Sequence, residues 1–322
     1  MRNIDNLNLS IIIPVYNEAD IIEVFHQKLT EILDQLPVQS HIYYVDDGST
    51  DNTGQILTDL TIRDSRIKKL TLSRNFGHQA ALTCGLDHAQ GDIIITMDGD
   101  GQNPPEVIPE MLALYQADYD IVIGQRRHET PTSGLKQATS KAFYHLINRI
   151  GNLNITPNAA DFRLLSRPVV DALKAMPEYH RFLRGMVSWV GYKTVILPFE
   201  PKERLGGKSK YTLKKMFKLA SDAVFSFSLV PLQIGLAIGG LFYLLALIEA
   251  IYVLYLWFSG NQAQLEPGWS SLMFMLLIVG GTLTTVMSFI GIYIGYIFQE
   301  VKKRPVYLLG DTQETGRNPI QE

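Results

Sequence analysis

A chain of 322 residues, 46% apolar and 19% charged, is long enough for one large domain plus a second element and is oily for a soluble protein. Its formal net charge of −3 excludes a global attraction to nucleic acid, and its single cysteine, Cys84, excludes a disulfide framework or a cysteine metal site. The apolar excess is gathered between residues 229 and 298, and the first two-thirds reads as a soluble domain. Residues 1–10 are polar and lack the apolar run of a secretory signal, so this domain is expected to stay in the cytosol.

In chain order, residues 9–15 form a continuous apolar run, the mark of a strand buried on both faces. Asn17 and Asp20 are suited to cap the next helix, where Ile21, Phe25, Leu29, Ile32, Leu33 and Leu36 keep a helical period. Residues 42–45 read as a second strand ending in Asp46-Asp47-Gly48-Ser49, and Ser49 or Thr50 is placed to cap a helix carrying Ile56, Leu57 and Leu60. Residues 67–72 give a third strand and 77–89 a helix that stops at Gly91, with Cys84 a small core residue within it. Residues 93–97 give a fourth strand ending in Asp98-Gly99-Asp100; Pro105 starts a further helix and 121–124 form a further strand. Strands alternating with helices predict an α/β domain over residues 1–207, with a mostly parallel sheet covered on both faces. Ligands bind such sheets where strands end at the carboxyl edge. Asn17-Glu18, Asp46-Asp47 and Asp98-x-Asp100 all stand at such ends.

Residues 208–228 place Leu213, Met216, Phe217 and Ala220 at helical spacing, with Lys210, Lys214, Lys215 and Lys218 mostly off that face, the pattern of an amphipathic helix on anionic lipid. Residues 229–258 and 270–298 each exceed the roughly 20 residues needed to span hydrocarbon. The loop between them has no Lys or Arg, while Lys202 to Lys218 precede the pair and Lys302, Lys303 and Arg304 follow it. The positive-inside rule then predicts a two-helix transmembrane hairpin with both chain ends cytoplasmic and a cytoplasmic tail over 299–322, in an inner or plasma membrane. Gln233 and Glu249 interrupt the first span and read as contacts between helices of neighbouring subunits; Gly235, Gly239, Gly240, Gly280, Gly281, Gly291 and Gly295 suit close helix packing.

Asp98 and Asp100, one residue apart after a buried strand, can hold a hard divalent cation that also binds a diphosphate, and Gln102 can add an oxygen. Asp46 and Asp47 can accept hydrogen bonds from a base or ribose, or form an Asx turn with Gly48 and Ser49. Arg74, Asn75, Arg126 and Arg127 also follow strands, and arginine forks match phosphate oxygens. Gly207-Lys208-Ser209 resembles the end of a phosphate-binding P-loop, but Lys202 stands where that motif needs glycine. The seven histidines show no zinc-binding spacing, and no Gly-x-Ser-x-Gly nucleophile motif is present.

The segments Ile12-Ile13-Pro14-Val15-Tyr16-Asn17-Glu18, Val45-Asp46-Asp47-Gly48-Ser49-Thr50-Asp51, Ser73-Arg74-Asn75-Phe76-Gly77 and Met97-Asp98-Gly99-Asp100-Gly101-Gln102 resemble family 2 glycosyltransferases of the GT-A fold, a Rossmann-like α/β fold. More narrowly, from about residue 9 to residue 304 the chain is similar to the polyprenyl-phosphate glycosyltransferases, which include bactoprenol glucosyltransferases and dolichyl-phosphate mannose synthases. The resemblance implies a nucleotide-sugar pocket lined by Pro14, Tyr16, Glu18, Asp46 and Asp98, and Mg2+ or Mn2+ on Asp98, Asp100 and Gln102. It implies Arg126 near the phosphates, and an acceptor segment at residues 161–167 with Asp161 close to the reacting centre. It also implies a mobile loop at 204–211. Arg163, Arg204, Lys208 and Ser209 would hold the acceptor phosphate. Gly101 and Asn103 depart from the residues often seen beside the metal ligands.

The expected reaction is inverting transfer of a hexose, glucose from UDP-glucose, to polyprenyl (undecaprenyl) phosphate at the cytoplasmic membrane face, by a homo-oligomer that the resemblance makes a tetramer. GDP-mannose is the alternative donor. A processive polysaccharide synthase of the same fold would carry Gln-x-x-Arg-Trp, which is missing, and a non-catalytic scaffold would have no use for Asp98, Asp100 and Gln102.

Overall fold

The computed structural model describes residues 2–4, 7–127, 159–179, 181–202 and 268–310, together with Leu244, Leu247, Ile248, Ile251, Tyr255, Phe258 and Ser259. It falls into two units, one of residues 1–218 with 305–322 and one of residues 219–304.

The first unit is built on seven strands: β1 (Asn8–Val15), β2 (Gln39–Asp46), β3 (Ile67–Thr71), β4 (Ile93–Thr96), β5 (Ile121–Arg126), β6 (Ala159–Ser166) and β7 (Thr194–Phe199). They form one sheet in the order β3-β2-β1-β4-β6-β5-β7. All pairings are parallel except those of β6, which runs antiparallel to both β4 and β5. The expected mostly parallel α/β sheet is therefore present, with one strand reversed.

Ile11, Ile12 and Ile13 of β1 are fully buried, which is why the run has no polar alternation. Burying each isoleucine stabilises the fold by roughly 1.5–3 kcal/mol. Helices α1 (Ile22–Leu33), α2 (Thr53–Arg63), α3 (His78–His88) and α4 (Ile108–Gln116) connect the first five strands, α4 entered through a 3-10 turn at Pro105–Val107. In α1 the buried positions are Ile22, Phe25, His26, Leu29 and Leu33, one stripe at helical spacing. Helices α5 (Arg167–Ala175) and α6 (Leu183–Trp189) lie between β6 and β7. Cys84 is buried in α3, and burial pushes its thiol up to about 12.

Three capping expectations are corrected. Neither Asn17 nor Asp20 caps α1, whose N-cap position is Ile21 and which has no side-chain cap. Asn17 instead adopts a left-handed φ of 53° and accepts a hydrogen bond from the Thr50 backbone N–H at 2.8 Å. Helix α2 starts at Thr53 with Asn52 at its N-cap position, past Ser49 and Thr50, and Asp51 accepts the Thr53 N–H at 3.0 Å. Asn17 and Ser49 tie the loop after β1 to the loop after β2 rather than capping helices, Ser49 Oγ accepting the Asn17 N–H at 3.0 Å.

The tail that follows the second apolar run returns to the sheet. Leu309 bridges Leu72 antiparallel, Ser73 N–H donates to the Leu308 carbonyl at 2.8 Å, and Tyr307 Oη donates to Asp87 at 3.1 Å. This segment covers part of the edge that β3 would otherwise expose.

In the second unit, α7 (Trp269–Val301) spans 33 residues, and its Ile278–Val301 stretch is long and apolar enough to cross a membrane. Leu272, Leu276, Leu283, Met287, Ile294 and Ile297 are exposed along it. A helix that is apolar all round and unburied is suited to lipid. Of the expected first span, Leu244, Leu247, Ile248, Ile251, Tyr255 and Phe258 are helical and exposed. Its remainder, with Gln233 and Glu249, lies outside the described residues, as does the amphipathic stretch 208–228.

Candidate active site

The carboxyl edge opens beside Pro14. Strand β4 pairs with β1 only from Leu9 to Ile12, and Met97 N–H donates to the Ile12 carbonyl at 3.0 Å. Val15 O accepts Asp47 N–H on the other side at 2.9 Å, so alternation turns the Pro14 nitrogen toward the β4 side, where pairing has ended. A proline is tolerated in this central strand because the N–H it lacks would have had no ladder partner. This edge lies between β1 and β4, at the point where the connection order reverses, the place where open α/β sheets bind ligands.

The loop after β2 forms one wall. Asp46, 2% exposed, accepts the Ser49 N–H three residues on at 2.9 Å, so its side chain closes the bend through Gly48 one residue wider than an Asx turn. Asp47 accepts Phe76 N–H at 2.7 Å and Gly77 N–H at 2.9 Å, so its carboxylate organises the next loop. Burial raises the Asp47 pKa, and these two N–H groups partly offset that. Gly48 has φ +66°, and a Cβ there would lie 2.5 Å from the Arg74 carbonyl carbon. Replacing Gly48 by alanine is expected to cost about 1–3 kcal/mol, read as a lower urea midpoint, because backbone strain and a backbone collision add. Arg74 lies over the Phe76 ring at 4.0 Å. Tyr16 and Glu18 are half-buried beside this wall, and Glu18 N–H donates to Thr53 Oγ1 at 2.8 Å.

The acidic centre is made by the reversed strand. Thr96 pairs with Arg163, and continuing that register places Asp98 opposite Asp161. Two carboxylates facing each other across neighbouring strands repel unless cations intervene. Four do. His78 Nε2 stands 3.5 Å from Asp98 and 3.4 Å from Asp161. Arg126 Nη2 is 3.6 Å from Asp98. Arg163 Nη2 is 3.0 Å from Asp161, and Arg184 forks onto both oxygens of Asp161 at 3.1 and 2.9 Å.

The two acids are held differently. Burial raises the Asp98 pKa, and the charges of His78 and Arg126 only partly offset it. Burial also acts against the Asp161 anion, but Arg184, the nearby His78 and Arg163 hold its carboxyl well below the usual range. For His78, partial loss of water works against the cation, and Asp161 and Asp98 outweigh it, raising its pKa.

Asp100 accepts the Gln102 N–H at 3.0 Å, and Asn103 Nδ2 donates to Asp98 at 3.3 Å. The Asn103 Oδ1 is buried without a hydrogen-bond partner, as are the Nε atoms of Arg126 and Arg163. Among the described residues no group of three or more His, Cys, Asp or Glu is already arranged around a metal position. Asp98, Asp100 and Gln102 offer only hard oxygens, which fit Mg2+ or Mn2+, and the incompletely neutralised Asp98 is a carboxylate that a cation would stabilise.

Residues 10–174 match the family model described as glycosyl transferase family 2. A glycosyltransferase of Synechocystis sp. is 40% identical over 98% of this chain and 99% of its own, and the prophage bactoprenol glucosyl transferase homolog of Escherichia coli is 38% identical over 94% and 98%. The chain belongs to glycosyltransferase family 2. A bactoprenol glucosyl transferase of Shigella phage SfV is also similar, at 36% identity over 96% of this chain and all of its own. Among solved structures, a glucosyl-3-phosphoglycerate synthase from Mycobacterium tuberculosis is similar with a TM-score of 0.46 and 16% identity, covering 68% of this chain and 78% of that one.

In this family 2 glycosyltransferase, Pro14, Tyr16, Glu18, Asp46, Asp98, Asp100 and Gln102 all stand on strand ends or turns of one edge. Asp98, Asp161, Arg126 and Arg163 meet in the acidic centre. Arg163 is only 4% exposed and committed to Asp161. Arg204, Lys208 and Ser209 lie outside the described residues. Two members of the centre escaped sequence reading. His78 directly follows the Ser73–Gly77 segment and was within reach of it; Arg184 lies in a short helix with no motif.

Proposed function

We propose that this glycosyltransferase moves a hexose, glucose from UDP-glucose, onto polyprenyl phosphate at the cytoplasmic face of a membrane, with inversion at the anomeric carbon. The observation that carries the reading is the facing pair Asp98 and Asp161, framed by His78, Arg126, Arg163 and Arg184 at the carboxyl edge. Relatives named bactoprenol glucosyl transferase, matched over nearly their whole lengths, support the donor sugar and the lipid acceptor. The apolar helix α7, with an apolar stretch before it, supports a two-span anchor that keeps the site near lipid headgroups.

An oxygen of the lipid phosphate attacks the anomeric carbon, and the bond from that carbon to the nucleoside diphosphate breaks, its electron pair leaving with the diphosphate. The second pKa of a phosphate monoester is about 6, so the nucleophile is already largely anionic at neutral pH and needs no strong general base. The protein's tasks are alignment and charge stabilisation. Pro14, Tyr16, Glu18 and Asp46 hold the nucleoside half. Arg126, beside Asp98, faces the departing phosphates. Asp98, Asp100 and Gln102 would hold Mg2+ or Mn2+, which when bound neutralises diphosphate charge. Arg184, the more accessible arginine on Asp161, would meet the acceptor phosphate together with Arg163, which also holds the Asp161 carboxylate. Arg204, Lys208 and Ser209 belong to the same acceptor role.

The test is incubation of purified enzyme with a panel of nucleotide-sugars, undecaprenyl phosphate and Mg2+ or Mn2+, followed by mass measurement of the lipid. One hexose per lipid from UDP-glucose is expected. A polymer, or no sugar-bearing lipid with any donor, overturns the reading.

A further inference from the structure

His78 stands at the one place where the two halves of the site meet. It is the first residue of α3, delivered there by Gly77, whose φ of +101° turns the chain into the helix. The loop carrying it is fixed from behind by Asp47, which accepts the Phe76 and Gly77 N–H groups. Its imidazole Nε2 is 3.5 Å from Asp98 on the β4 side and 3.4 Å from Asp161 on the β6 side. The other described ion pairs within 4 Å each join one acid: Arg126 with Asp98, and Arg163 and Arg184 with Asp161. His78 alone among the described ion-pair partners touches both.

We propose that His78 is a positioning residue that ties Asp98 to Asp161 and thereby fixes the distance between the bound donor and the bound acceptor. This rests on the reading of Asp98 as donor-side and Asp161 as acceptor-side. Without the imidazole, the two facing carboxylates lose the described ion-pair partner that stands within 4 Å of both, and the β6 side is free to shift relative to the β4 side. The donor still binds, because Tyr16, Glu18, Asp46, Asp98 and Asp100 are untouched. The reacting atoms, however, drift from attack distance, and a misplacement of about 1 Å can cost on the order of a hundredfold in rate.

The expected result for His78→Ala is a kcat at least about tenfold lower, with KM for the nucleotide-sugar within about threefold of wild type. Its affinity for Mn2+ with UDP, measured by titration calorimetry, should also stay within about threefold. His78→Gln places an amide N–H donor at similar reach and should recover most of the lost kcat. The side chain is 39% exposed, so neither change empties the core. A His78→Ala enzyme with unchanged kcat overturns the proposal, and so does a His78→Gln enzyme as slow as His78→Ala. A more than tenfold fall in Mn2+–UDP affinity also overturns it, because His78 would then act on the donor side alone. If wild type makes no sugar-bearing lipid, the acceptor assignment falls. Hydrolysis of the nucleotide-sugar, compared between wild type and His78→Ala, then decides whether His78 matters to the reacting centre.

Discussion

Replacing Asp98 by asparagine is expected to lower sugar transfer by at least about a thousandfold while leaving the protein as stable as before, or more so. The two halves of that expectation have one cause. Asp98 is a half-buried carboxylate whose neighbours do not fully offset its loss of water, and its pKa is raised in the folded protein. A raised acid pKa means that the folded chain keeps a proton which the unfolded chain gives up near pH 3.9. Stability therefore falls as pH rises from there through the folded value, and at pH 7 the ionised Asp98 works against folding. Asparagine removes that charge and keeps the shape. In chelator at pH 7, the melting temperature of Asp98→Asn should equal or exceed that of wild type. Adding Mn2+ with UDP should raise the melting temperature of wild type and not that of the variant, since only a protein that binds the ligand is stabilised by it. Normal turnover in Asp98→Asn would remove the proposed donor site.

Much of this arrangement is legible in the sequence because burial and strand ends leave strong marks. Residues 9–15 and 93–97 are mostly apolar, broken only by the buried Ser10 and Thr96, since β1 and β4 are central strands covered on both faces. The polar residues that end them therefore stand out as an edge. Strand β6 leaves no such mark. Its sequence Ala-Ala-Asp-Phe-Arg-Leu-Leu-Ser places Asp161 and Arg163 in buried positions, which alternation rules read as solvent-facing. Mutual pairing makes that burial tolerable, and a partner fixed by fold is invisible to a local pattern. Strand β7 is hidden for a different reason: it is an edge strand that includes Pro198, with Thr194 and Ile196 left exposed. Asn17 shows the limit of capping rules. Its side chain had a ready local use in α1, and a loop 33 residues away took it instead. His78 and Arg184 gain their place only when β6 reverses and brings Asp161 beside Asp98.

Asp161 should answer to the same substitution in the opposite way. It is buried, but Arg163 and Arg184 donate to its oxygens and His78 stands beside it. Replacing it by alanine leaves Arg163, 4% exposed, as an uncompensated buried cation and frees Arg184 from its fork. Breaking one side of a buried pair costs about 3–5 kcal/mol, so Asp161→Ala should unfold at a markedly lower urea concentration. The pH dependence gives the sign. A carboxyl held well below its unfolded value stabilises the fold above about pH 3.9, and that contribution is lost as pH falls through the folded pKa. Wild type should therefore lose stability steeply below pH 4, and Asp161→Asn, already deprived of the contribution at neutral pH, should show a shallower acid slope. Two carboxylates that face each other across one pair of strands would thus part company: removing the Asp98 charge leaves the fold intact and the chemistry lost, whereas removing the Asp161 charge weakens the fold before the chemistry can be read. Equal denaturation midpoints for Asp161→Asn and wild type at pH 7 would show that the arginines around it find other partners.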